Sequence, residues 1–149
     1  MISIREADSN DAPVIAEFQQ MMARETENLE LKKEKVISGV TAVMADRTKG
    51  FYIVSEDAGR LVASMLLTPE WSDWRNGFVL WIQSLYVIPE LRKKGVFRNM
   101  YDFVKGIVMG SEKYVGIKLY VDQHNIKAQK AYSKVGMDAS HYRLFEWNK

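Results

Sequence analysis

Apolar residues along the chain switch repeatedly between two periods. ISIREA, residues 2–7, alternates like a short strand. Residues 9–25, SNDAPVIAEFQQMMARE, place Val14, Ile15, Phe18, Met21 and Met22 on one helical face; Asn10 or Asp11 can cap it and Pro13 suits its first turn. A second helix is predicted over residues 32–46, with Val36, Val40, Val43 and Met44 in one stripe around Gly39. GFYIVSE, the turn DAGR and LVASMLLT predict a hairpin. PEWSDWRNG, residues 69–77, reads as an exposed loop, and FVLWIQSLYV, residues 78–87, as a long strand. IPELRKKG then leads into a helix carrying Val96, Met100, Tyr101, Val104 and Val108 on one side. GIKLYVD predicts a further strand, NIKAQKAYSKVG a short helix ended by Gly136, and HYRLFEWN a last strand. This order implies an α/β fold with a mixed sheet covered by helices.

Composition narrows the picture only a little. The 149 residues, residues 1–149, show no shift that marks a linker, so a single domain is expected. The absence of cysteine removes disulfides, thiolate metal sites and a cysteine nucleophile, and fits a reducing, cytoplasmic setting. No metal is expected. The N-terminus is charged from Arg5 onward, unlike a signal peptide, and the longest apolar run, FVLWI, is too short to span a bilayer. A net charge of +2 does not point to nucleic acid.

The chemistry concentrates in VIPELRKKGVF. Pro89 ends a strand, Gly95 permits a backbone conformation barred to other residues, and a helix begins just after. Its first N–H groups have no internal partners and carry partial positive charge, so strand, glycine loop and helix together make an anion site suited to phosphate. Arg92, Lys93, Lys94 and Arg98 add charge around it; a solvated basic turn is the plainer alternative. Neither G-x-x-x-x-G-K-[ST] nor a strand-following G-x-G-x-x-G is present.

SLYVIPELRKKGVF resembles the acetyl-CoA loop of the Gcn5-related N-acetyltransferases, the GNAT family. There a strand ends in Leu-x-Val, here Leu85, Tyr86 and Val87, and a proline and [RQ]-x-x-G-x-[GA] follow, here Arg92, Lys93, Lys94, Gly95, Val96 and Phe97. Phe97 departs from the usual glycine or alanine. NIKAQKAYSKVGM resembles the family's N-x-x-A-x-x-x-Y-x-x-x-G-[FM] helix, with Asn125, Ala128, Tyr132, Gly136 and Met137 in place. The resemblance covers residues 51–149 and implies a GNAT-like acyl-CoA N-acyltransferase fold whose central sheet is mostly antiparallel. It implies acetyl-CoA as cosubstrate, a small-molecule or peptide amine as acceptor, and a homodimer.

By the same resemblance, amides of Arg92 to Phe97 bind pyrophosphate, backbone near Leu85, Tyr86 and Val87 pairs with the pantetheine arm, and Arg98 reaches a phosphate. Asn125 contacts the arm, and Tyr132 is the acid that protonates the departing thiolate. The i, i+3, i+7 spacing of Asn125, Ala128 and Tyr132 puts them on one face, about 10 Å from end to end. A helix cap for Asn125 and a core position for Tyr132 are the structural alternatives. Where many relatives carry a carboxylate base, this chain has Gln83, which cannot take a proton but can orient water or substrate. Glu25, Glu27, Glu70, Asp73 and His141 are the other base candidates. Glu25, Glu27 and Glu30 are candidates to attract a cationic acceptor, and Trp71 and Trp74 to pack against it; a solvated helix end and a tryptophan loop folded onto the core or onto a partner subunit are the equal alternatives. The competing readings are a non-catalytic acyl-CoA-binding or sensing domain and, less in keeping with the charge, a nucleic-acid module using Lys127, Lys130 and Lys134 beside the loop cations.

Overall fold

In the computed structural model, which describes residues 1–149, the first alternation forms β1 (Ile2–Glu6). A 3-10 turn, Ser9–Asp11, follows; Asp8 accepts from the Asn10 amide at 2.8 Å and Asp11 accepts from the Asp8 amide at 2.9 Å. This reciprocal cap launches α1 (Ala12–Glu27), with Pro13 in its first turn as expected. Asp11 is buried and takes both guanidinium nitrogens of Arg5, at 2.7 and 3.0 Å. Arg5 thereby holds the Asp11 carboxyl below the usual carboxylate range. A depressed carboxylate stabilises the fold above its unfolded pKa, about 3.9, and that contribution fades as pH falls through the folded value. Asp11→Ala is therefore expected to cost about 1–3 kcal/mol at neutral pH, because Arg5 and the Asp8 amide lose their acceptor. Urea denaturation at pH 7 and at pH 3 checks this: the deficit should shrink at the lower pH, and an equal deficit at both would contradict it.

α1 ends at Asn28, which takes the left-handed conformation, and α2 (Lys33–Ala45) follows. β2 (Phe51–Asp57), β3 (Arg60–Ser72) and β4 (Gly77–Val87) form an antiparallel meander with β1 outside β2. After β4 come a 3-10 turn, α3 (Val96–Met109) and β5 (Tyr114–Lys118), which pairs parallel to β4. The sheet order is β1-β2-β3-β4-β5. It is mixed and mostly antiparallel, as expected. Tyr52 and Val54 join Ile15 and Val40 under α1 and α2, while Phe18 and Tyr86 stack at 5.1 Å. The alternate residues, Ile53, Met65 and Leu67, are fully buried on the opposite face, where Met100 and Val104 of α3 are fully buried too.

Backbone contacts divide the chain into two units, Met1–Lys118 and Leu119–Lys149. The second contains α4 (Ile126–Lys134). No helix is long and apolar enough to cross a membrane.

Three expectations need correction. Residues 69–72, read as loop, continue β3: Pro69 faces Leu80 and Ser72 faces Gly77. β2 pairs with β3 no further than Leu67, so beyond it Pro69 stands on an edge where a missing N–H is tolerated. The strand expected over residues 116–122 lies at Tyr114–Lys118, because β4 kinks away at Gln83 and offers no partner past Trp81. The last strand, HYRLFEWN, is absent. Tyr142, Leu144, Phe145 and Trp147 are exposed and no ladder reaches them; alternation alone does not make a strand without a second backbone to pair with.

Candidate active site

β4 carries an irregularity that its sequence hides. Leu66 of β3 faces Ser84 and the adjacent Leu67 faces Ile82, so Gln83 is the extra residue of a β-bulge. The bulge bends β4 away from β5, which pairs only with residues 78–81. Residues 82–87 therefore have β3 on one side and no strand on the other. The Ile88 amide donates to the Val62 carbonyl at 3.0 Å. Hydrogen-bonded pairs alternate along an antiparallel ladder, so Tyr86 and Ser84 also bond to β3. Leu85 and Val87 consequently turn their backbone groups to the open edge. The Val87 carbonyl there accepts from Nε of Arg92 at 2.8 Å.

The chain then turns through Pro89–Leu91. Lys93 and Gly95 both take left-handed conformations, at φ 63° and 84°. Gly95 is the N-cap of α3 and no side chain caps the helix. The first intrahelical bond runs from the Asn99 amide to the Gly95 carbonyl at 3.0 Å, so the amides of the first turn, Val96 to Arg98, lie at the open N-terminal end of the helix. No acidic residue lies in this first turn, and Lys93, Lys94 and Arg98 are exposed around it. A Cβ added at Gly95 would meet nothing within 4 Å, so the space over the loop is open. Phe97 is half-buried and its ring packs on Tyr101 at 6.0 Å, which directs the aromatic side chain along its own helix. These are the features an oxyanion-rich ligand needs: a helix N-terminus that no side chain caps, its dipole, and cations around a turn without side-chain bulk.

Arg92 is arranged differently from its neighbours. Its amide donates to the Pro89 carbonyl at 3.3 Å and its Nη2 to Glu25 at 2.7 Å. Tyr86 donates its hydroxyl to the other oxygen of Glu25 at 3.2 Å, with the Arg92 guanidinium 5.4 Å from its ring centre. Burial, and next the charge of Glu25, push the Tyr86 hydroxyl up from its ordinary value. Arg92 thus ties the loop to the end of α1.

In the second unit, Asn125 caps α4 by accepting the Ala128 amide at 3.1 Å. The helix closes with the Met137 amide on the Tyr132 carbonyl at 3.2 Å and the Gly136 amide on Ser133 at 3.0 Å, with Gly136 left-handed. This pattern gives Asn125 and Gly136 structural reasons for their positions. Tyr132 is half-buried, and desolvation raises its hydroxyl above the ordinary tyrosine range, so it is a protonated phenol at neutral pH.

The model of the acetyltransferase (GNAT) family matches residues 12–137. The chain belongs to the GNAT family of acetyltransferases. A possible acetyltransferase from Clostridium difficile 630 is similar along the whole chain: 41% identity over 100% of this chain and 98% of that one, with a TM-score of 0.93. Two more distant structures share the fold. An aminoglycoside N-acetyltransferase in complex with CoA has 10% identity, covers 100% of this chain and 95% of its own, and gives a TM-score of 0.82. A ribosomal-protein-alanine N-acetyltransferase from Brucella melitensis biovar Abortus 2308 has 14% identity, covers 99% and 100%, and gives 0.79. No curated protein matches the chain significantly. As a GNAT acetyltransferase the protein uses acetyl-CoA as its cosubstrate, and the open β4 edge with the uncapped α3 terminus fits that group.

In this GNAT enzyme the other base candidates are dispersed. Glu70 accepts the Trp81 indole N–H at 2.7 Å and Lys118 at 3.5 Å. Asp73 sits in the β3–β4 turn accepting the Trp74 amide, Glu27 is exposed at the end of α1, and His141 lies in the second unit beside Ser140. Glu30 is paired with Arg24 at 2.6 Å, so two of the three acidic residues expected to draw a cation have internal partners. Trp74 is exposed, and Trp71 packs edge-on against Phe78. Gln83 is exposed and donates to Thr68 Oγ1 at 3.0 Å. Sequence reasoning missed Gln19, which donates to Ser84 Oγ at 3.2 Å. Its place on the α1 face beside Phe18 and Met22 was the available signal.

Proposed function

We propose that the protein moves the acetyl group of acetyl-CoA directly to a primary amine. The observation that carries this reading is the continuity of the open β4 edge, at Leu85 and Val87, with a loop that ends on the N-terminus of α3, which no side chain caps. Backbone groups of Leu85 and Val87 pair with the pantetheine amides as an added strand would. The amides of Val96, Phe97 and Arg98, with Gly95 and the exposed Lys93 and Lys94, hold the pyrophosphate; Arg92 contributes by bracing the loop through Glu25. Asn125, on the face of α4 that carries Tyr132, contacts the arm.

The acceptor nitrogen forms a bond to the acetyl carbon as the carbon–sulfur bond breaks, and the sulfur takes the phenolic proton of Tyr132. Burial keeps that proton on Tyr132 until it is needed. The surplus proton on nitrogen leaves to solvent, and the phenol regains one from solvent. Gln83 orients the amine as a hydrogen-bond partner and accepts no proton.

The test is release of free thiol from acetyl-CoA with a panel of primary amines, with the acetylated product identified by mass. Amine-dependent thiol release with an N-acetyl product is expected. Tight acetyl-CoA binding without turnover on any amine would instead mark a domain that senses the acyl-coenzyme.

A further inference from the structure

An open cleft of about 440 Å³ lies between α1, α2 and the sheet, entirely within Met1–Lys118. Its size is at the lower end of the range for small-molecule sites. Met22, Leu31, Val36, Val40, Val43 and Leu66 make its apolar wall. The polar groups are Gln19, Tyr52, Gln83 and Ser84. None carries charge at neutral pH: burial pushes the Tyr52 phenol up to about 12. The bulge explains why Gln83 and its neighbour Ser84 both line the cleft, since an extra residue breaks the alternation of faces. No acidic or basic side chain lines it. Two of the carboxylates expected to draw a cation are engaged elsewhere, Glu25 with Arg92 at 2.7 Å and Glu30 with Arg24 at 2.6 Å.

We infer that the acceptor is a small primary amine with an uncharged, apolar body, and that this cleft selects against polycationic amines. This rests on the transferase reading above and names its substrate class. A second ammonium group placed in the cleft would lose its hydration and find no carboxylate to replace it, which is costly. An aryl or branched alkyl body instead buries apolar surface against the valine stripe of α2 and Met22. The same environment helps the chemistry. A medium without charged partners disfavours an ammonium ion relative to the neutral amine, and the neutral amine is the nucleophile. A cleft of this kind is thus consistent with Gln83 at a position where a carboxylate would otherwise collect the proton.

Initial rates with 2-phenylethylamine, leucylglycylglycinamide and spermidine decide between acceptor classes. kcat/KM for 2-phenylethylamine or the peptide should exceed that for spermidine by about 10-fold or more. A preference for the peptide supports the inference and assigns the apolar body to a peptide's first residue. Val36→Glu places a carboxylate in the wall. It should lower kcat/KM for 2-phenylethylamine by about 10- to 100-fold, narrow the gap to spermidine, and leave acetyl-CoA affinity unchanged. If that variant does not fold, Val36→Thr, of nearly the same shape, should lose about 3- to 10-fold on the apolar amine. Preferred turnover of spermidine by the wild-type protein would overturn the acceptor class and leave the transferase reading standing. Acetyl-CoA binding with no turnover of any amine would overturn both.

Discussion

Tyr132→Phe is expected to lower kcat and kcat/KM together by about 10²–10⁴-fold, the range for loss of general acid assistance. The lower end is favoured, because a thiolate of pKa near 8.5 departs tolerably well on its own. The substitution keeps the ring and removes only the hydroxyl. The cap at Asn125 and the helix closure through the Tyr132 carbonyl use backbone and Asn125 groups, so α4 should form as before. Acetyl-CoA affinity should therefore be unchanged. pH sharpens the test. Burial raises the Tyr132 hydroxyl, so the proton-donating form persists up to and beyond the usual tyrosine pKa near 10. Wild-type kcat should show no fall from loss of this proton between about pH 7 and 9. Wild-type turnover by the Phe variant across that range would make Tyr132 a packing residue, and a change confined to KM for acetyl-CoA would make its hydroxyl a binding group.

Gly95→Val should weaken acetyl-CoA binding by about 100-fold, about 2.7 kcal/mol, the worth of one strong charge-assisted hydrogen bond. Gly95 stands at φ 84°, which a β-branched residue adopts only under strain of about 1–3 kcal/mol. Relief of that strain would rotate the Gly95–Val96 peptide and re-aim the first amides of α3. A side chain there has open space around it, so nothing in the apo fold clashes and most of the stability should survive. Calorimetric titration with a parallel thermal melt separates the two effects. Undiminished affinity would remove the phosphates from this loop.

The long helices and the β2–β3 hairpin were legible because period 3.6 and period 2 dominate there and burial follows them. The Gly95 loop was legible because a left-handed N-cap without a side-chain cap is a backbone requirement that glycine announces. Three features were hidden for physical reasons. The bulge at Gln83 is a register relation between two strands, and no local pattern in WIQSLYV reveals it. Pro69 suggested a loop because the sequence does not show where β2 stops supporting β3. Charge was the least legible property. Arg92 and Glu25, 67 positions apart in the chain, were read separately as phosphate and acceptor contacts, yet the fold brings them to 2.7 Å of each other. HYRLFEWN shows the converse, an alternating run that forms no strand because no edge is paired with it.

Titration of the wild-type protein with acetyl-CoA and with S-acetylpantetheine, which keeps the thioester and the arm but lacks the pyrophosphate, tests the central claim most directly. If the uncapped amides of α3 hold the pyrophosphate, acetyl-CoA should bind one to a chain and about 100-fold more tightly than the truncated thioester. Equal affinity for the two compounds, or no binding of acetyl-CoA, would contradict the account.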